Sequence, residues 1–284
     1  MSNHCAITEN QSMQYETEYS KMGCVWYQPY ANFERIGLAN GPKVDVQSYG
    51  SLIGGDTKYK QLKNGWGTVT TPYIGYNGTS QSYSGVSTTT NGGLLGLTQT
   101  FYRGNLFTGL TINVGATNAE SNTMYGNENY TSLMAGVASK TGYNFEFKNG
   151  KFILQPSLLV AYTFVKTFDY TNASGVKIFS DPLNSIQFHP NIKFMGNVGK
   201  GWQPYACIGM VWNILNETKV TANDIRLPEM SIKPYVEYGI GLQKCWNSEA
   251  TGFIQTMIRN GGRNGVALMF GFKWTLGHKS IQNI

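Results

Sequence analysis

The sequence predicts an all-β chain: a single 12-stranded antiparallel transmembrane β-barrel with a short N-terminal helix in the pore. Three observations predict it. Charged residues make up only 13% of 284, about half the ordinary share, while hydrophobic residues reach 41% and mean hydropathy is −0.27. No run of apolar residues is long enough for a membrane-spanning helix. From Gly23 onward the hydrophobic pattern has period two. A barrel in lipid reconciles these facts, because only every second residue of each strand faces the bilayer. Sparse charge together with 13% aromatic residues also excludes a disordered tail.

The chain divides into a polar segment 1–23, a barrel 24–276 and a short tail 277–284. Residues 9–22 contain no Gly or Pro and predict a short polar helix. With Glu9, Gln11, Gln14, Glu16 and Glu18, the segment lacks the apolar core of a signal peptide. An outer-membrane destination therefore predicts that the signal lies further upstream, in a longer precursor, or has been trimmed away.

Twelve segments follow, near 24–35, 44–56, 65–77, 86–102, 105–117, 129–147, 151–167, 185–198, 201–216, 231–245, 249–260 and 264–276. The first four alternate less regularly than the rest. The clearest, 231–243, sets Ile232, Pro234, Val236, Tyr238, Ile240 and Leu242 against Lys233, Tyr235, Glu237, Gly239, Gly241 and Gln243. Segment 186–195 sets Ile186, Phe188, Pro190, Ile192 and Phe194 against Gln187, His189, Asn191, Lys193 and Met195. The second face is small and polar throughout. A soluble sandwich would carry many more charges there, so this face suits a watery lumen and the apolar face suits lipid.

The connections test this independently. Those after even-numbered segments are mostly short, such as Arg103-Gly104, Asn149-Gly150, Gly199-Lys200-Gly201 and Trp246-Asn247-Ser248, with 57–64 as the exception. Those after odd-numbered segments read as long polar loops at 78–85, 118–128, 168–184 and 217–230. Tight turns on one side and long loops on the other is the outer-membrane pattern. Six of the nine prolines (Pro29, Pro72, Pro156, Pro190, Pro204, Pro234) fall inside these segments, four of them before Tyr. Proline removes a ladder bond, so bulges or strand ends are expected there. Trp26, Tyr30, Trp202, Trp212, Tyr235 and Trp274 lie near segment ends and predict interfacial girdles.

Other functions find little support. The net charge of +6 is spread thinly, without the basic, aromatic-interleaved runs of a nucleic-acid binder. The four cysteines form no CxxC pair and the three histidines are too widely spaced for a zinc site, so no metal or cofactor is expected. The lumen face carries Lys193, Lys233, Glu237, Arg259 and Lys273, with Glu237 and Arg259 on neighbouring strands. They either line a charged pore that holds the helix or sets selectivity, or are lumen residues without a specific role. His189 beside Asn191 invites comparison with barrel hydrolases, but the Ser-Asn-Gly element of outer-membrane phospholipases is missing, so no catalytic residue is assigned.

At these residues the chain resembles the C-terminal β-domain, or translocator, of autotransporters. The resemblance covers 23–276. It rests on Val25-Trp26-Tyr27-Gln28-Pro29-Tyr30, on Tyr49-Gly50 through Gly54-Gly55-Asp56, and on Lys233-Pro234-Tyr235-Val236-Glu237-Tyr238-Gly239 through Arg259-Asn260 to Phe272-Lys273-Trp274. It implies a non-enzymatic outer-membrane device of type V secretion that delivers a covalently linked upstream passenger to the cell surface. It further implies a monomer among outer-membrane lipids. Its last strand would signal to the barrel-assembly machinery through Gly271, Trp274 and Leu276. Met269 stands where the family has a polar residue, and ten residues follow Trp274. The alternatives are a free-standing outer-membrane channel or porin and, further off, an outer-membrane hydrolase.

Overall fold

Period-two alternation produces twelve long strands. A computed structural model describes residues 23–215, 217–246 and 250–276. The pore helix expected within 1–23 lies outside the described residues, apart from Gly23, and so does the tail 277–284. The barrel strands are β1 (Cys24–Ala39), β2 (Lys43–Asp56), β3 (Gly67–Tyr83), β4 (Val86–Arg103), β5 (Leu106–Thr123), β6 (Gly126–Tyr143), β7 (Phe152–Thr167), β8 (Leu183–Gly196), β9 (Trp202–Ile214), β10 (Tyr235–Trp246), β11 (Ala250–Gly261) and β12 (Arg263–Thr275). Each pairs antiparallel with the next, and β12 pairs with β1 from Cys24 opposite Thr275 to Ile36 opposite Arg263. That seam closes the sheet and removes its edges.

The outer face is an apolar belt. Leu110, Ile112 and Val114 on β5, Ile240 on β10 and Ile74 on β3 stand exposed. The run from Leu106 to Ala116 covers roughly 33 Å of strand, which at a tilt of about 40° spans roughly 25 Å, the height of a membrane belt. Trp202, Trp212 and Trp274 point outward and mark its borders. Trp26, Tyr30 and Tyr235 correct the girdle expectation: they are buried and point into the lumen. Strand parity decides this. Trp26 and Tyr30 share a face of β1 with Gln28, Asn32 and Glu34, all buried.

The lumen is therefore less uniformly small and polar than its sequence pattern. Each Tyr after a strand proline, Tyr30, Tyr73, Tyr205 and Tyr235, is buried and inward. Three of these rings lie over glycines of the next strand. A Cβ on Gly50, Gly96 or Gly241 would fall within 2.7 Å of the ring of Tyr30, Tyr73 or Tyr205. Aromatic cover over glycine shields an otherwise bare stretch of backbone. The prolines themselves produce no bulge. The β1–β12 pairing skips from Tyr27–Phe272 to Tyr30–Met269 at Pro29, and the β8–β9 pairing from Phe188–Trp212 to Asn191–Gly209 at Pro190. The register resumes unchanged, so each proline costs only local ladder bonds. Pro234 lies just outside β10.

Two expected loops are ladder instead. Residues 78–83 and 118–123 continue β3 and β5, and the turns shrink to Ser84-Gly85 and Met124-Tyr125. Ser84 and Gly85 both have positive φ, the signature of a type I′ hairpin that suits strand twist. Thr- and Ser-rich pairs, such as Thr88 with Ser121 at 2.8 Å, hold this extension together above the apolar belt. The expected loops at 168–184 and 217–230 fold on each other as a small sheet of Tyr170–Thr171, Lys177–Ser180, Val220–Ala222 and Ile225–Arg226.

Candidate functional site: the barrel lumen

A chain of charges crosses the lumen wall on its β12–β1 side. Glu237 stands opposite Arg259 in the β10–β11 register, and Arg259 Nε donates to Glu237 Oε2 at 3.1 Å. Arg259 also donates to Glu34 of β1, and Arg263 of β12 donates to the other oxygen of Glu34 at 3.1 Å. The Tyr235 ring lies beneath both guanidinium groups, 6.0 Å from that of Arg259 and 5.7 Å from that of Arg263. Both are within cation–π range. His189 Nε2 comes within 3.1 Å of Glu237 Oε1, poorly aligned for a hydrogen bond. It reaches across β9 because position 209 is glycine: a Cβ there would sit 2.6 Å from His189 Nε2. Two carboxylates thus face two guanidinium groups, and the row is neutral with His189 uncharged. Burial of so many charges is tolerable only because each has an opposite charge and further donors or acceptors.

A second group lies at the short-turn end. Lys273 Nζ contacts Asp56 Oδ2 at 2.9 Å, Thr71 donates to Asp56 Oδ1 at 2.7 Å, and the Cys24 thiol to Oδ2 at 3.1 Å. Lys193 is buried with its ammonium 3.9 Å from the centre of the Tyr205 ring, and Tyr205 donates to Gln255 at 2.8 Å. Trp26, Tyr30, Leu52, Tyr73, Leu94, Phe253 and Met269 pack with Cys24 into a cluster of inward side chains, where the Met269 sulfur accepts from Gln28.

Of the five charges read as lumen-facing, four are inward: Lys193, Glu237, Arg259 and Lys273. Lys233 is exposed and outside the strand. The expected alternation runs through it, but residues 233 and 234 leave the ladder before β10 starts. The phase shifts there, turning Ile232 inward and Lys233 out. Glu34 and Arg263 were missed. Glu34 shares parity with Gln28 and Asn32, and Arg263 with Met269 and Lys273, so phase alone would have placed them. Of the three assembly-signal residues, Trp274 and Leu276 are exposed beside the short-turn end. Gly271 points inward, where a Cβ would lie 2.0 Å from the Phe253 ring. No group of three or more His, Cys, Asp and Glu side chains able to hold a metal occurs among the described residues.

A closed twelve-strand barrel of this height with a polar, charge-lined interior matches a known family over most of its length. The autotransporter β-domain model matches residues 25–254. The chain belongs to the autotransporter β-domain family. Solved structures agree in fold. The β-domain of the Bordetella autotransporter BrkA superposes with a TM-score of 0.74 at 16% identity, over 89% of this chain and 99% of that one. The transport unit of AIDA-I from Escherichia coli gives 0.76 at 18%, over 89% and 90%. The translocator domain of NalP from Neisseria meningitidis gives 0.71 at 11%, over 95% and 96%. No curated protein sequence matches. This autotransporter β-domain is accordingly an outer-membrane translocator, a transport unit of Gram-negative type V secretion.

Proposed function

We propose that the lumen is the route by which an upstream passenger reaches the cell surface, and that its charged row sets the lumen's shape. The observation that supports this is the buried, neutral arrangement of Glu34, Glu237, Arg259 and Arg263 on one wall of a closed barrel. Neutral pairing lets a polypeptide of either charge pass without a strong electrostatic trap. In this reading segment 1–23 threads the pore, and deleting residues 1–22 raises conductance in planar bilayers. Trp274 and Leu276, exposed at the end of the closing strand, present the signal to the barrel-assembly machinery, and the barrel works as a monomer. No catalytic step is assigned: His189 stands beside Glu237 in the charged row, so His189→Ala should abolish no hydrolysis.

The test is a reporter domain fused before residue 1 and expressed in a Gram-negative host. External protease should remove the reporter from intact cells, while the barrel keeps its heat-modifiable gel migration. A folded barrel with the reporter retained in the periplasm would refute the proposal.

A further inference from the structure

The barrel rim is uneven. The β11–β12 hairpin turns at Gly262, while β3 to β6 rise well beyond the apolar belt. Over this low point the chain returning to β10 does not stay outside. Ser231 and Ile232 pair with Ala39 and Leu38 at the outer end of β1, beyond the place where β12 stops. Ile232 is buried against Ile36, Val44 and Val46, all on the inward face of β1 and β2. Met230 packs over the β1–β2 turn, where a Cβ on Gly41 would lie 2.7 Å from its sulfur. The crossing needs glycine at 262: a Cβ there would come within 1.9 Å of the Lys233 carbonyl oxygen. Gly262 N donates to Pro234 O at 2.8 Å, and Gly37 N to Gly262 O at 2.9 Å, which fixes the crossing.

The segment therefore lies on the lumen side of the mouth. Thr218, Met230, Ser231 and Ile232 face a cavity of about 320 Å³ whose far wall includes Tyr130, Met134 and Val165. The cavity is lined mainly by apolar groups. Its apolar lining on β1 and β2 is the surface that Ile232 and Met230 cover.

We propose that Met230–Ile232 is a latch that closes the outer mouth by adding a short strand to the free end of β1. Its weakness is what suits it to this. Its backbone joins β1 through two register pairs, Leu38–Ile232 and Ala39–Ser231, whereas the barrel strands beside it pair along most of their length. An emerging polypeptide can displace the latch without opening the barrel. As a latch for an exiting chain, the proposal rests on the lumen being the passenger's route, but closure of the mouth is testable without a passenger.

The experiment uses planar bilayers and runs the full chain beside the chain without residues 1–22, so that the segment proposed to thread the pore does not mask the latch; in both, the native cysteines are replaced by serine and Ala39→Cys and Ser231→Cys are introduced. Cross-strand partners of this kind lie within disulfide range. Conductance should stay low when oxidised and rise several-fold, with discrete openings, after reduction. Ile232→Asp, which expels the side chain from its apolar seat, should reproduce the reduced state. Equal conductance in oxidised and reduced barrels, or failure of the two cysteines to bond in a heat-modifiable barrel, overturns the latch. A surface-protease assay on the same variants separates the two ideas. If the wild-type barrel never displays its reporter, the passenger route fails, while the conductance result still decides the latch. If the oxidised barrel displays as much reporter as the reduced one, a latch displaced by the passenger is overturned.

Discussion

Arg259→Met tests the charged row most directly. The side chain of Arg259 is 1% exposed and lies between Glu34 at 2% and Glu237 at 7%. Methionine roughly fills the volume but leaves two buried carboxylates each short of one partner. Breaking a buried pair from one side costs about 3–5 kcal/mol. The lower end applies here, because Arg263 still holds Glu34 and His189 stands beside Glu237. A loss of about 3 kcal/mol lowers the folded-to-unfolded ratio roughly a hundredfold. With a urea dependence of about 3 kcal/mol per molar, the unfolding midpoint drops by about 1 M. The assay is tryptophan fluorescence of the refolded barrel during urea titration in lipid vesicles. Glu34→Gln combined with Arg259→Met removes one of the stranded charges, so the double variant should lose less than the sum of the singles by about 0.5–3 kcal/mol. An Arg259→Met midpoint indistinguishable from wild type, or strict additivity in the cycle, would show that the row contributes nothing to the folded barrel.

Other outcomes follow from the same geometry. Ile240→Lys puts a charge on the lipid face of β10 and should cost about 2–4 kcal/mol in the same titration. Glu120→Lys, outward on β5 but above the belt, should cost less than about 1 kcal/mol. Gly241→Val drives a side chain into the Tyr205 ring and should cost about 1–3 kcal/mol; unfolding curves that overlay would remove the aromatic cover as a packing device. Pro190→Ala should leave the urea midpoint close to wild type, because the β8–β9 ladder already opens there; a clear shift would show that the ring itself is needed. Tyr170, outside the barrel strands, stacks on Tyr130 of β6 at 4.9 Å, and burial raises the Tyr170 phenol to about 12. Ultraviolet titration should therefore find a tyrosine that ionises only above the exposed ones, and Tyr130→Ala should lower that transition.

Much of this protein was legible in its sequence. The strand number, the lipid-facing residues and the twelve-strand closure follow from period two, because a strand buried on one side must repeat its side-chain chemistry every second residue. The Glu237–Arg259 pairing was legible for the same reason: neighbouring strands and a shared face leave little freedom. Phase was harder. A bulky aromatic fits lipid and a crowded lumen equally well, so Trp26, Tyr30 and Tyr235 read as girdle residues by type although their parity with Glu34 and Glu237 puts them on the inward face. Lys233 was misplaced because residues 233 and 234 leave the ladder, and a pattern reader carries the alternation straight through such a break. The Thr- and Ser-rich ends of β3 and β5 read as loop because polar, β-branched sequence suits either a loop or a solvated ladder. Hairpin pairing above the membrane decided between them.

By itself, then, the sequence determined a barrel with one face for lipid and one for water, since that choice depends on each residue's own chemistry and spacing. Only the tertiary structure decided what meets inside. Glu34 reaches Arg259 and Arg263 because closure brings β1 against β12, from opposite ends of the chain. Ile232 seals against β1 because a glycine at 262 lets one loop cross the rim. Such contacts arise from closing the cylinder, and no local pattern along the chain encodes the distance between its ends.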